Sequence, residues 1–305
     1  MPTPTYPPRL RPNDLVAISA PAGAASRPGS VEQATRNLEA LGLRVKLMPN
    51  VMARWGYLAG TDEERAADVN SALGDPDIRA LITLRGGYGT MRILPLLDYD
   101  LLRRDPKIVI GYSDITGLLN ALTRKTEVVT FHGPIAEAKF AGFEGEAFRR
   151  ACWEGQQLAD VSDMVPQSKI SPPRSTIRSG SATGRLIGGN LSLIAPIAGT
   201  PYGPDFDGAI LFLEDINEAP YRVDRMLTGL WLGGHLQKLG GIVFGDFRES
   251  EPDTDFTMRE VFDNLRRWVD IPMFCGLPAG HIADKLTLPI GARVTLDADR
   301  CALTW

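Results

Sequence analysis

Several things are scarce in this 305-residue chain, and each scarcity removes a class of function. It has three cysteines, Cys152, Cys275 and Cys301, and their spacing matches no metal-binding pattern. An odd, scattered set suits a reducing compartment, where thiols serve as small apolar side chains. It has three histidines, none in an H-E-x-x-H arrangement, so no metal and no cofactor is expected. No apolar run approaches the roughly 20 residues that span a bilayer. The opening "MPTPTYPPRLRPNDLVAIS" has no basic segment followed by an apolar one, so no secretory leader is expected and a cytoplasmic location is. No block of like charge interrupts the chain, and a net charge of −4 argues against nucleic acid or a membrane surface as a partner. There is no internal repeat.

What is present is length enough for two domains and an alternation of β and α signals. Strands are expected in "DLVAISA", "RVKLM", "ALITL", "KIVIG" and "EVVTFHG". Between them lie helices opened by capping boxes, Ser30 with Gln33 and Thr61 with Glu64. This pattern predicts a doubly wound α/β domain with a parallel sheet over 1–157. A Ser- and Pro-rich stretch, 158–183, reads as a linker. A mixed α/β domain over 184–305 follows, with strands in "GAILFLED", "GIVFG", "MFCGL", "RVTLD" and "CALTW", crowded toward the C-terminus.

The candidate chemistry lies at strand ends. In "KIVIGYSDITG", Ser113 follows a strand and precedes a helix, where doubly wound sheets gather their ligands. It can be a nucleophile, although the G-x-S-x-G elbow lacks its last glycine, or a helix cap with Asp114 as first-turn acid. The glycine-rich "LRGGYGT" can cradle an anion, supply a backbone N–H to an oxyanion, or simply turn tightly. A base could be His132, at a strand end, His235, in a surface connection, or His281, in an irregular stretch after a strand. Its carboxylate partner could be Glu214, Asp215 or Glu218. Glu214 directly follows an apolar run, where an acid needs a partner, and Glu218 can join Arg222 and Arg225 in a surface charge cluster.

Taken together and in order, "RGGYG", "IGYSDITGLLNAL", "LIGGNLSLIAPIAGT", "LFLEDINEAPYRVDRML" and "LPAGHIADKLTLPIGA" resemble the LD-carboxypeptidase family of serine peptidases. That family includes the muramoyltetrapeptide carboxypeptidases and the microcin C immunity peptidases. The resemblance implies a flavodoxin-like N-terminal domain, a swivelling β/β/α C-terminal domain, a groove between them holding the site, and a homodimer. It implies a triad of Ser113 as nucleophile, Glu214 as carboxylate and His281 as base. It also implies oxyanion donors from the backbone of Gly86 or Gly87 and of Asp114. The substrate implied is a small peptide, murein tetrapeptide, cleaved between the L-centre of meso-diaminopimelate and a terminal D-alanine during cytoplasmic recycling. Arg85, beside the glycine loop, is a candidate for the substrate carboxylate. One alternative keeps the triad and cleaves a peptidyl- or aminoacyl-nucleotide, which calls for an aromatic platform such as Trp55, Trp153 or Trp231. The other is a non-catalytic α/β protein that binds a small anion.

Overall fold

A computed structural model describes residues 3–154, 170–248 and 256–305. The chain divides into two compact units: Met1–Gln156 with Thr287–Gly291, and Gln157–Leu286 with Ala292–Trp305.

The first unit alternates β1 (Leu15–Ser19), α1 (Ser30–Glu39), β2 (Arg44–Leu47), α2 (Asp62–Gly74), β3 (Ile78–Thr83), α3 (Thr90–Ile93), α4 (Tyr99–Arg104), β4 (Ile108–Gly111), α5 (Ile115–Thr126), β5 (Thr130–His132) and α6 (Gly142–Arg149). Strands β2-β1-β3-β4-β5 lie side by side and all run parallel. That is the flavodoxin order, which reverses direction between β1 and β3. "VAIS", "ALIT" and "IVIG" are buried residue by residue, as a sheet covered on both faces requires. The Thr61 box forms, Thr61 Oγ1 accepting from Glu64 N–H at 3.2 Å and Glu64 Oε2 from Thr61 N–H at 2.8 Å. The box expected at Ser30 does not. Gly29, at φ +81°, makes the turn into α1, Ser30 is already inside the helix and buried, and the Gln33 N–H goes to the Gly29 carbonyl.

The second unit contains β6 (Ser175–Arg178), β7 (Ser181–Asn190), α7 (Leu191–Ile197), β8 (Ile210–Ile216), α8 (Pro220–Leu232), β9 (Gly241–Arg248), α9 (Met258–Asn264) and β10 (Met273–Cys275). After these come β11 (Leu288–Ile290), β12 (Arg293–Asp297) and β13 (Ala302–Thr304). Its seven-stranded sheet has the order β13-β12-β7-β8-β9-β10-β6, with β7 to β10 parallel and β6, β12 and β13 antiparallel to their neighbours. Phe262 of α9 stacks on Phe244 of β9 at 3.9 Å between ring centres and meets Phe247 edge-on at 5.0 Å, which fixes that helix on the sheet.

Two boundaries differ from the sequence expectation. Of the stretch read as a linker, 158–169 lies outside the described residues, whereas β6 and the start of β7 are paired strands of the second sheet. Strand β11, read with the second domain, instead pairs antiparallel with β5 and forms the edge of the first sheet. Pro289 is compatible with that edge position because it need not donate to a further neighbour.

Candidate active site

Ser113 sits where β4 gives way to α5, and its backbone is left-handed, φ +65°. For a residue with a Cβ this is a strained conformation, of the kind that lifts a side chain clear of a strand-to-helix turn. Its side chain does not cap the helix. The N-cap position falls to Asp114, with no side-chain bond, while the Ser113 carbonyl accepts from Thr116 N–H at 2.9 Å. Gly111, just before the turn, has no room for a side chain: a Cβ there would lie 2.2 Å from Thr83 Oγ1.

The glycine loop after β3 closes against this turn. A Cβ at Gly86 would lie 2.8 Å from the Ser113 Cβ, 3.0 Å from its Oγ and 3.3 Å from the Asp114 N. The Gly86 carbonyl accepts from Gly23 N–H at 3.1 Å. In a trans peptide the N–H points opposite to the C=O, so the Gly87 N–H is turned away from Gly23. Asp114 is buried and binds the far end of the loop, its Oδ2 accepting from Thr90 N–H at 2.8 Å and its carbonyl from Thr90 Oγ1 at 2.5 Å. Burial pushes the Asp114 carboxyl up, and the Thr90 and Gly89 hydrogen bonds and the Arg65 charge hold it down. Arg85 is half-buried and donates from Nη1 to the Ala24 carbonyl at 3.1 Å.

In the second unit, His281 Nδ1 lies 2.7 Å from Glu214 Oε2. Glu214 is wholly buried and His281 nearly so, with 14% of its side chain exposed. A hydrogen on Nδ1 donated to the carboxylate corresponds to the tautomer that leaves Nε2 without one. The backbone explains how residues 67 apart come together. Strand β9 carries one extra residue opposite Glu214, so Leu213 pairs with Phe244 but Asp215 with Phe247. At this bulge Asp246 N–H binds the Ala279 carbonyl at 2.9 Å, and Leu277 N–H binds the Phe244 carbonyl at 3.0 Å. The segment carrying His281 is thereby stitched to the strand beside Glu214. Gly280, at φ +125°, passes so close that a Cβ would sit 2.9 Å from Glu214 Oε2, and one at Gly245 would sit 2.4 Å from the Ala279 carbonyl. Reasoning from sequence missed Gly245, Asp246 and Gly280. The glycines in "VFGDF" and "PAGH" were the available signal.

The other candidates have different surroundings. Asp215, on the opposite face of β8, accepts from Asn190 Nδ2, from Ser192 N–H and Oγ, and from Ile216 N–H, all at 2.9 Å, and so fastens the start of α7. Glu218 lies 3.7 Å from Arg222, with the arginine half-exposed. His132 is buried in β5, its ring edge-on to Tyr112 at 6.2 Å. His235 lies against Phe206 at 4.7 Å, and burial, then Lys238, pushes its pKa down. Trp231 stacks on Trp268 at 4.8 Å and Trp153 is edge-on to Phe148, while Trp55 is exposed beneath Arg92. Among the described residues, no group of three or more His, Cys, Asp or Glu could hold a metal ion, and no helix is long and apolar enough to cross a membrane.

Comparison with known proteins bears on both units. Residues 16–133 match the N-terminal domain and residues 183–296 the C-terminal domain of LD-carboxypeptidases. The chain is 36% identical to the probable murein peptide carboxypeptidase of Bacillus subtilis, over 95% of this chain and 91% of that one. Among solved structures, a muramoyltetrapeptide carboxypeptidase from Oxalobacter formigenes superposes with a TM-score of 0.80 at 32% identity, covering 95% of this chain and 97% of that one. An MccF-like protein from Bacillus anthracis superposes with a TM-score of 0.86 at 26% identity, covering 98% of each.

Proposed function

Because the chain belongs to the LD-carboxypeptidase family, we propose that it is a serine-type LD-carboxypeptidase that removes the terminal D-alanine from murein tetrapeptide. The observation that carries this reading is local to each unit: a serine of left-handed backbone against a glycine loop in the first, and a buried Glu214 in contact with His281 in the second.

In this reading Ser113 Oγ attacks the scissile carbonyl while His281 Nε2 takes its proton. Glu214 holds the ring in the required tautomer and stabilises the imidazolium. The backbone N–H groups of Gly87 and Asp114, with that of Gly86 as a further candidate, receive the oxyanion. One such donor is worth about 3 kcal/mol in a water-excluded site. Collapse of the tetrahedral intermediate breaks the C–N bond, and His281 returns the proton to the D-alanine nitrogen. Water, activated by the same histidine, then hydrolyses the acyl-enzyme. The substrate carboxylate is assigned to Arg85, whose fork retains donors beyond the one given to Ala24. The reading carries with it a homodimer acting in the cytoplasm.

The test supplies the purified chain with murein tetrapeptide and, in parallel, with an aspartyl-nucleotide analogue, and follows D-alanine or nucleotide release. Release of D-alanine is expected, with kcat falling about a thousandfold or more in Ser113→Ala, Glu214→Ala and His281→Ala. Turnover of the nucleotide conjugate alone would transfer the site to the immunity-type reaction. Undiminished hydrolysis by Ser113→Ala would remove the assigned nucleophile.

A further inference from the structure

One buried cation in the first unit has no part in the chemistry above. Arg65, in the first turns of α2, is among the largest fully buried side chains of the described residues. Its Nη1 donates to the Pro21 carbonyl at 2.6 Å, in the loop after β1, and to the Gly89 carbonyl at 2.9 Å, at the end of the glycine loop after β3. Its Nη2 pairs with Asp62, which Arg92 also grips through Nε at 2.9 Å and Nη2 at 2.8 Å.

Stability alone is a poor reason for such a residue, since desolvating a guanidinium costs much of what its partners return and an apolar side chain could fill the volume. What a planar fork adds is a simultaneous hold on two loops and a helix. The contact at Gly89 matters most. The Gly89 carbonyl and the Thr90 N–H belong to one planar peptide group. Arg65 binds its oxygen, and the Asp114 carboxylate binds its N–H at 2.8 Å. A cation at the oxygen and an anion at the hydrogen polarise that peptide in the same sense, so each bond strengthens the other. The chain Arg65, peptide 89–90, Asp114 therefore ends one residue from Ser113. The glycine loop is pinned at Gly86 by Gly23 N–H and at Gly89 by Arg65. Gly89 comes so close that a Cβ would lie 2.7 Å from Arg65 Nη1.

We infer that Arg65 is a positioning residue, which through the 89–90 peptide holds the glycine loop and the Asp114 turn in the geometry that the oxyanion donors require. The inference rests on Ser113 being the nucleophile. A donor displaced by about 1 Å can lose on the order of a hundredfold in rate without loss of substrate binding.

The test compares Arg65→Met, Arg65→Lys and, as a control destabilised in a helix away from this chain of bonds, Leu38→Ala, which removes a buried side chain of α1. Two rates are read on the folded full-length chain: labelling of Ser113 by a fluorophosphonate, in which Oγ displaces fluoride from phosphorus, and D-alanine release from murein tetrapeptide. Both arginine variants are expected to lower kcat and the labelling rate by about tenfold to a hundredfold, with KM within about threefold, while Leu38→Ala lowers Tm but preserves both rates. If Arg65→Met does not fold, Arg65→Lys decides, because one ammonium cannot reproduce the planar fork. Arginine variants that retain both rates, or that raise KM alone, overturn the inference. Wild-type protein that labels at Ser113 yet releases no D-alanine refutes the proposed substrate, and the labelling rates still decide the role of Arg65. No labelling of Ser113 in the wild type overturns both.

Discussion

The strain at Ser113 can be measured without any substrate. At φ +65° a residue with a Cβ gives up about 1–2 kcal/mol relative to its preferred backbone. Glycine at the same place escapes that strain but leaves a freer unfolded chain, which costs roughly 0.5–1 kcal/mol. The balance makes Ser113→Gly about 0–1.5 kcal/mol more stable than the wild type, whereas Ser113→Ala, which keeps the Cβ, should match the wild type closely. Had Ser113 been the helix cap, the signs would change: alanine would cost about 1 kcal/mol and glycine a few tenths. Calorimetry on the three proteins in one buffer reads the difference, at roughly 2–4 °C per kcal/mol for a unit of this size. A glycine variant that melts below the wild type would refute the claim that the turn is strained.

Two further outcomes follow from the second unit. Gly280→Ala would force a methyl group to 2.9 Å from Glu214 Oε2 at φ +125°, and neither the buried carboxylate nor the stitched backbone can give way. We expect kcat to fall about a hundredfold with a lowered Tm, and a variant of normal kcat would show that the Glu214–His281 contact is not needed. Asp246 is a buried acid whose carboxyl burial pushes up from its ordinary value of 3.8, against the Ser171 N–H bond and the Arg248 charge. A folded pKa above the unfolded one means that stability is fullest below 3.8 and is lost as pH rises through the folded value. Asp246→Asn should therefore raise Tm at neutral pH, and the gain should shrink as the pH is lowered toward 3.8. A gain that instead grows on acidification would reverse the assigned sign.

The parallel strands of the first unit were legible because apolar runs buried on both faces leave an uninterrupted signal, as in "KIVIG" and "ALITL". Strand β7 was not, because its glycines interrupt the run: at Gly188 a Cβ would fall 1.9 Å from the Phe212 carbonyl, so packing chose glycine over a β-former. Strand β6, edge-paired to β10, looks like loop in its Ser- and Pro-rich setting. The capping box at Ser30 failed because Gly29 supplied a left-handed turn that placed Ser30 one residue too deep. At the site, Ser113 was visible as a strand-to-helix turn, and its φ required coordinates. That Glu214 rather than Asp215 faces His281 depends on strand alternation and a bulge in the neighbouring strand, neither of which residue spacing along β8 encodes.

The antiparallel edge that β11 gives to the first sheet bears on the order of synthesis. The chain passes from one unit to the other at 156–157, returns at 286–287, and leaves again at 291–292. While the chain is being made, β5 is formed early but waits for Leu288–Ile290, some 155 residues later, before its outer edge is covered. An uncovered edge of buried strand residues is a site of unwanted pairing. The first sheet is therefore complete only once residues 288–290 have been made. A fragment ending at residue 154 would carry every residue of the serine turn and its glycine loop, yet expose a raw sheet edge that the intact protein closes only near its end.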